Sequence, residues 1–160
     1  MELKNKKIVV VGGAGLIGSH TVDKLLDEDV KEILIYDNMT RGNQENLSTA
    51  LKDPRVRIHN VGGDILQTDI LQDAFKGADG VFHLAALWLL QCHDYPRSAF
   101  DVNIKGTFNV MEACVSQGVK RLVYSSSASV YGDAEYEPMD ENHPFNNKNF
   151  YGATKIAGEA

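Results

Sequence analysis

Three glycines spaced three apart, in Gly12-Gly13-Ala14-Gly15-Leu16-Ile17-Gly18, directly follow the apolar run Ile8-Val9-Val10-Val11. Four consecutive apolar residues bounded by Lys7 and Gly12 suit a strand covered on both faces, and such strands belong to parallel sheets. Beyond the glycines, Leu16, Ile17, Val22, Leu25 and Leu26 fall at helical intervals, predicting a helix from Leu16 to Asp27. A strand that turns on glycine into a helix brings backbone N–H groups to a point where an anion can sit. With this spacing the turn fits a pyrophosphate held by the backbone of Gly12, Gly15, Leu16, Ile17 and Gly18. The plainer alternative is a glycine-rich turn that serves only strand–helix packing.

The rest of the chain repeats the alternation. Ile33-Leu34-Ile35-Tyr36 predicts a second buried strand, Asn43 to Leu51 a short helix ended by Asp53-Pro54, and Val56 to Val61 a sheet-edge strand. Gln67 to Phe75 predicts a helix, Gly80 to Leu84 a fourth strand, and Pro96 to Gln117 one long helix with Pro96 in its first turn and Gly118 as its stop. Arg121 to Ser125 predicts the fifth strand, Gly132 to Lys148 a surface loop, and a last helix opens around Phe150. Five strands separated by helices imply an α/β fold, a Rossmann-like doubly wound parallel sheet with both faces covered. At 160 residues the expectation is one dinucleotide-binding domain, 1–160. The final helix runs to Gly-Glu-Ala with no stop signal, which suggests a chain cut inside a helix or a small relative of a larger enzyme.

A net charge of -6 argues against a nucleic-acid partner and an anionic membrane surface. The longest apolar stretch, Leu84 to Leu90, falls far short of the ~20 residues that span a bilayer. With no apolar leader, the expected location is the cytoplasm. Cys92 and Cys114 make no disulfide framework, and no Cys/His cluster has zinc spacing, so no metal is expected.

Asp37 ends the second strand, 19 positions after Gly18, where a carboxylate can accept from adenosine ribose hydroxyls and disfavour a 2′-phosphate. The expected cofactor is therefore NAD. Asn38 adjoins it and Arg41 stands close enough to soften that preference; an Asp-Asn turn is the plainer reading. Asp64 and Ile65 follow the third strand, as acceptor for an adenine amino group and packing surface for its ring, or simply as a turn. Leu84-Ala85-Ala86 would let the backbone approach a cofactor. Asn103 lies within the long helix, by default on a solvated face, otherwise holding strand-end loops. His83 reads as a core residue and His20 as a helix-packing one, while Trp88 is either core or the wall of a pocket mouth.

Tyr151 and Lys155 stand four apart in Tyr-Gly-Ala-Thr-Lys, so a helix puts both on one face. An ordinary phenol, pKa about 10, is a poor base at neutral pH, and a nearby cation lowers that value. Ser125, Ser126 and Ser127 follow the fifth strand, and the Ser127 hydroxyl completes a candidate proton-handling set. The chemistry suggested is proton removal from an alcohol while two electrons leave for a nicotinamide.

With these motifs in this order, the chain resembles the N-terminal half of the extended short-chain dehydrogenase/reductases. Within them it is most similar to the NAD-dependent nucleotide-sugar epimerase/dehydratase group, UDP-glucose 4-epimerases in particular. The likeness rests on Gly12 to His20, Tyr36-Asp37-Asn38, Gly63-Asp64-Ile65, His83 to Ala86, Asn103 to Thr107, Ser125 to Gly132 and Tyr151 to Lys155. It implies that Tyr151 takes the proton of the sugar 4-hydroxyl, that Lys155 binds the nicotinamide ribose and depresses the tyrosine pKa, and that Ser127 bonds the same sugar oxygen. It further implies that Ser125 and Asn103 line the cofactor and that NAD is regenerated in each cycle. Related dehydratases carry an Asp-Glu pair where this chain has Ala128-Ser129, so epimerisation is favoured over dehydration. The family runs to about twice this length, and the C-terminal substrate domain is not in this sequence. Weak or absent turnover is therefore expected, with a non-catalytic NAD-binding module or a small carbonyl reductase as rivals. The likeness also allows a homodimer through the Pro96–Gln117 helix and the last helix.

Overall fold

The computed structural model describes residues 2–160. It divides into two compact units, the first comprising residues up to Ala85 with Asn109–Ser125, the second Ala86–Phe108 with Ser126–Ala160.

The first unit holds β1 (Lys7–Val11), β2 (Glu32–Tyr36), β3 (Val56–Ile58), β4 (Gly80–His83) and β5 (Arg121–Tyr124). All pair in parallel, in the order β3-β2-β1-β4-β5. This is the Rossmann-like doubly wound sheet that the alternation predicts. The apolar runs form its middle because every side chain on them can be buried. Ile8 and Val10 pair in register with Ile33 and Ile35 and join Val22 and Leu25 of α1 (Leu16–Leu26) in one core cluster. Val9, Val11, Leu34 and Tyr36 alternate to the other face and are equally inaccessible. Burial of each such side chain favours the fold by roughly 1.5–3 kcal/mol before the entropic cost of ordering. The strand ends that carry the candidate site are thus fixed by the best-packed part of the unit.

Several expectations need correction here. Cover is incomplete at β5, which pairs only with β4: Val123 on one of its faces is 43% exposed. The segment Asn43 to Leu51 is not a helix but two 3-10 turns, Gln44–Leu47 and Ala50–Lys52. The Asn43 side chain caps the first of them, accepting from Glu45 N at 2.9 Å. β3 stops at Ile58 rather than Val61, because Gly62 and Gly63 take positive φ (66° and 132°) and turn the chain. His20 is not packed inside but exposed on α1, its Nδ1 2.8 Å from the Leu16 carbonyl. His83 is buried, as read. The helix α2 (Thr68–Phe75) buries Leu71, Ala74 and Phe75.

In the second unit, α3 (Leu89–Asp94) was not anticipated. Trp88 caps it and is 44% exposed, so the core reading of that residue fails. The long helix from Pro96 is interrupted. It begins as α4 (Pro96–Ala99), with Pro at its start, and passes into a π turn over Phe100–Gly106 before α5 (Thr107–Ser116). Asn103, at the middle of the π turn, is 1% exposed rather than on a solvated face. A final 3-10 turn spans Ala128–Val130, and α6 (Phe150–Glu159) packs on the π turn, on α3 and on that 3-10 turn. Asn149 starts α6 by accepting from Gly152 N at 2.8 Å. Among the described residues no helix is long and apolar enough to cross a membrane.

Candidate functional site

In the first unit the order in which strands are added reverses between β1 and β4, whose ends Val11 and His83 lie in register. The crevice outside such a reversal is where open α/β sheets take ligands. The glycine turn shapes it. Gly12, at φ 80°, passes so close to the loop after β4 that a Cβ would lie 2.7 Å from Ala85 N. A Cβ on Gly18 would lie 2.1 Å from Gly12 O and 2.7 Å from Gly13 Cα. Gly15 differs, because a Cβ there would meet only Gly12 O, at 3.4 Å. Gly15 is the N-cap of α1 and supplies no side-chain cap, while Leu16 and Ile17 are 75% and 65% exposed. The first turn of α1 therefore has N–H groups that no side chain caps, at the positive end of the helix dipole, a setting suited to a phosphate.

Asp37 already bonds the protein. Its Oδ2 accepts from Ala14 N and its Oδ1 from Met39 N, each at 2.9 Å. Each carboxylate oxygen keeps a further acceptor position, so tying down the glycine turn and accepting from a ribose are compatible. Asn38 Oδ1 accepts from Thr40 N at 3.1 Å, making the turn the plainer reading foresaw, and Arg41 is exposed beyond it. Asp64 Oδ1 accepts from Leu66 N at 2.9 Å, while the Asp64 carbonyl accepts from the Tyr36 hydroxyl at 2.8 Å. Ile65 is only 3% exposed and its carbonyl accepts from Asn109 Nδ2 at 2.9 Å, leaving little side-chain surface for a ligand ring. Leu84 N donates to Val11 O at 2.9 Å and Ser125 N to His83 O at 3.1 Å, which extend the sheet ladder past β1 and β4. Gly63 is sterically required: a Cβ there would lie 2.1 Å from Asp37 O.

In the second unit, α6 carries both Tyr151 and Lys155. Lys155 is 4% exposed, and its Nζ lies 5.7 Å from the centroid of the Tyr151 ring. That distance falls within cation–π range. Burial pulls the Lys155 ammonium down to about 8, against which the nearby Cys92 acts weakly. Ser127 is the N-cap of the Ala128–Val130 turn, where its Oγ accepts from Ser129 N at 3.2 Å; the hydroxyl hydrogen stays free to donate. The Ser126 hydroxyl donates to Glu159. Asn103 organises the unit. Its Oδ1 accepts from Leu87 N at 2.7 Å, and its Nδ2 faces Leu87 O at 3.0 Å and Thr154 Oγ1 at 3.1 Å. It therefore fixes the segment just after Ala86 to α6. Thr154 in turn donates to Tyr151 O at 2.7 Å.

Gly152 went unnoticed in the sequence, although a glycine inside a helix costs about 1 kcal/mol against alanine and so signals a packing reason. A Cβ there would lie 2.4 Å from Ser129 O. Only glycine lets the first turn of α6 approach the turn that Ser127 caps.

Because Lys155 is lowered from 10.5 to about 8, the folded chain sheds this proton before the unfolded chain does. The burial penalty is full below about pH 8 and is relieved as pH rises toward 10.5, so stability from this group increases over that window. Lys155→Met should therefore be more stable than the parent at pH 7, by up to about 3 kcal/mol. The difference should shrink toward zero by pH 10.5. Urea unfolding of both proteins at pH 7 and pH 10 measures this, and a less stable Met variant at pH 7 would contradict it.

The chain matches the family described as the NAD dependent epimerase/dehydratase family over residues 8–160. It is 36% identical over 155 residues to the UDP-glucose 4-epimerase of Lacticaseibacillus casei, covering 95% of this chain and 44% of that protein. Among solved structures, the UDP-glucose 4-epimerase of Brucella ovis in complex with NAD superposes with a TM-score of 0.86 at 30% identity, covering 96% of this chain and 46% of that one. The dTDP-glucose 4,6-dehydratase of Streptomyces venezuelae, with NAD bound, superposes equally well: TM-score 0.89, 32% identity, 96% and 49% coverage. The chain thus spans about half the length of the relatives it matches.

Proposed function

The chain belongs to the NAD dependent epimerase/dehydratase family, and from that premise we propose that residues 1–160 bind NAD and carry the proton-handling residues of a nucleotide-sugar 4-epimerase of the UDP-glucose/UDP-galactose type. The residues present fit a dinucleotide. Two glycines stand where a Cβ would fill the turn, an uncapped helix start suits the pyrophosphate, and the Asp37 carboxylate suits adenosine ribose hydroxyls. When bound, NAD supplies the two-electron acceptor that lets a sugar carbon be oxidised and reduced again.

The observation that carries the reading is the buried Lys155 ammonium one helical turn from the Tyr151 ring. An alcohol can give up two electrons only if its proton is also taken, and the Tyr151 oxygen is the group assigned to take it. The Lys155 ammonium, 5.7 Å from the centroid of the Tyr151 ring, is the cation assigned to the site, and the Ser127 hydroxyl is the donor assigned to the sugar oxygen. Epimerisation needs that proton back on the same oxygen, so Tyr151 acts first as base and then as acid, with no net change in the protein. The likeness to a dehydratase does not favour dehydration, since Ala128 and Ser129 offer no carboxyl group to move a second proton.

The second reading is a module that binds NAD without turnover, since every feature that fits the dinucleotide would serve it equally. Incubation of stoichiometric chain with NAD and UDP-galactose, with product analysis, separates the two. Slow formation of UDP-glucose supports the epimerase. NAD binding with no product supports the module, and net oxidation of NADH with a carbonyl substrate would point to a reductase.

A further inference from the structure

We propose that Asn46, outside every motif above, is a positioning residue that sets the glycine turn for the diphosphate of a dinucleotide; the inference rests on the NAD-binding reading. Ala14 sits in the middle of the turn and is wholly buried. A buried peptide group must find partners, and all of those for Ala14 come from the segment that follows β2. Its N–H donates to Asp37 Oδ2 at 2.9 Å. Its carbonyl accepts twice, from Asn43 N at 3.1 Å and from the Asn46 side-chain Nδ2 at 2.9 Å.

The direction of that carbonyl matters because a trans peptide is planar, so C=O of Ala14 and N–H of Gly15 point opposite ways. Holding the carbonyl toward Asn46 aims the Gly15 N–H at Gly12 O, 3.3 Å away, and fixes the plane that leads into α1. Gly15 is the N-cap, and its own carbonyl accepts from Ser19 N at 2.9 Å. Asn46 therefore acts one peptide upstream of the N–H groups that would face a phosphate.

Two further features show a built contact. Leu47, next to Asn46, is fully buried in the core cluster, which anchors the 3-10 turn. Gly42 lets the segment lie down: a Cβ there would stand 2.7 Å from Asp37 Oδ1 and 2.8 Å from Ala14 Cβ. Without the Asn46 donor, the Ala14 carbonyl keeps only Asn43 N as a partner and its peptide plane is held less firmly. A diphosphate must then order the turn as it binds, which weakens affinity.

The test compares the parent with Asn46→Ala and the near-isosteric Asn46→Asp, which keeps the shape and loses the donor. NAD, ADP and adenosine are titrated separately, and amide hydrogen exchange is followed at Gly15 and at Val10. The expected result is a loss of about fivefold to tenfold for NAD and ADP, with adenosine within about twofold and faster exchange at Gly15 but not at Val10. Equal losses for adenosine would reduce Asn46 to a general structural residue and overturn the inference. Unchanged exchange at Gly15, or unchanged ADP affinity with faster exchange, would also overturn it while leaving NAD binding intact. A parent chain that binds no NAD would overturn the underlying reading, and this inference with it.

Discussion

Tyr151→Phe removes sugar turnover and leaves NAD affinity within about threefold of the parent. The substitution deletes one oxygen. The ring that lies 5.7 Å from Lys155 Nζ remains, as does the helix whose first turn Asn149 caps. What is lost is the only assigned atom able to take the proton from the sugar hydroxyl and return it. Positioned acid–base groups contribute roughly a hundredfold to ten-thousandfold in rate, so turnover should fall by at least a hundredfold. The proposed cradle for the dinucleotide is built from Gly12, Gly18, Asp37 and the start of α1, all in the first unit, whereas Tyr151 belongs to the second. Product analysis and NADH titration on the same preparation report the two properties separately. A Phe variant that epimerises at the parent rate would show that another group is the base.

Gly18→Ala should have the largest effect on binding. The added Cβ would stand 2.1 Å from a carbonyl oxygen and 2.7 Å from a Cα, both backbone, so no rotamer change can relieve it. Either α1 moves outward or the glycine turn deforms, and both outcomes displace the N–H groups meant for a phosphate. Overpacking of this kind destabilises by roughly 1–3 kcal/mol. Affinity for NAD should fall by about a hundredfold or more, the cost of misplacing charge-assisted hydrogen bonds. Gly15→Ala is the matched control. Its Cβ would find only one atom, at 3.4 Å, so the fold should be kept and stability change by about 1 kcal/mol or less. Urea unfolding and NADH titration of both variants measure the contrast. Equal behaviour of the two would mean that the turn is not held as described.

The difference between these two glycines was not visible in the sequence, where they occupy equivalent places in one array. The array itself was legible because a strand, three spaced glycines and a helical pattern form a local signal. The central strands were legible for the same reason: Ile8 to Val11 and Ile33 to Tyr36 are apolar at every position, and only a doubly covered sheet accepts that. What stayed hidden depends on contacts distant in the chain. Pro96 and Gly118 mark the ends of a helical stretch correctly, yet nothing local shows that Asn103 bonds the Leu87 peptide, 16 residues earlier, within a π turn. The bond from Asn46 to Ala14 O crosses 32 residues. The helix Leu89–Asp94 lacked a polar N-cap, since Trp88 occupies that place, so an apolar run concealed it. The edge strand β5 resembled the central strands in composition, and only the sheet order shows that it is paired on one side.

The most direct measurement of the redox account uses UDP-galactose carrying deuterium at C4, incubated with stoichiometric chain and NAD, with the products read by NMR. Transient oxidation at that carbon, with Tyr151 moving only the hydroxyl proton, predicts UDP-glucose that retains the label at C4. Replacement of the label by solvent hydrogen, or no UDP-glucose from a chain shown to bind NAD, would contradict it.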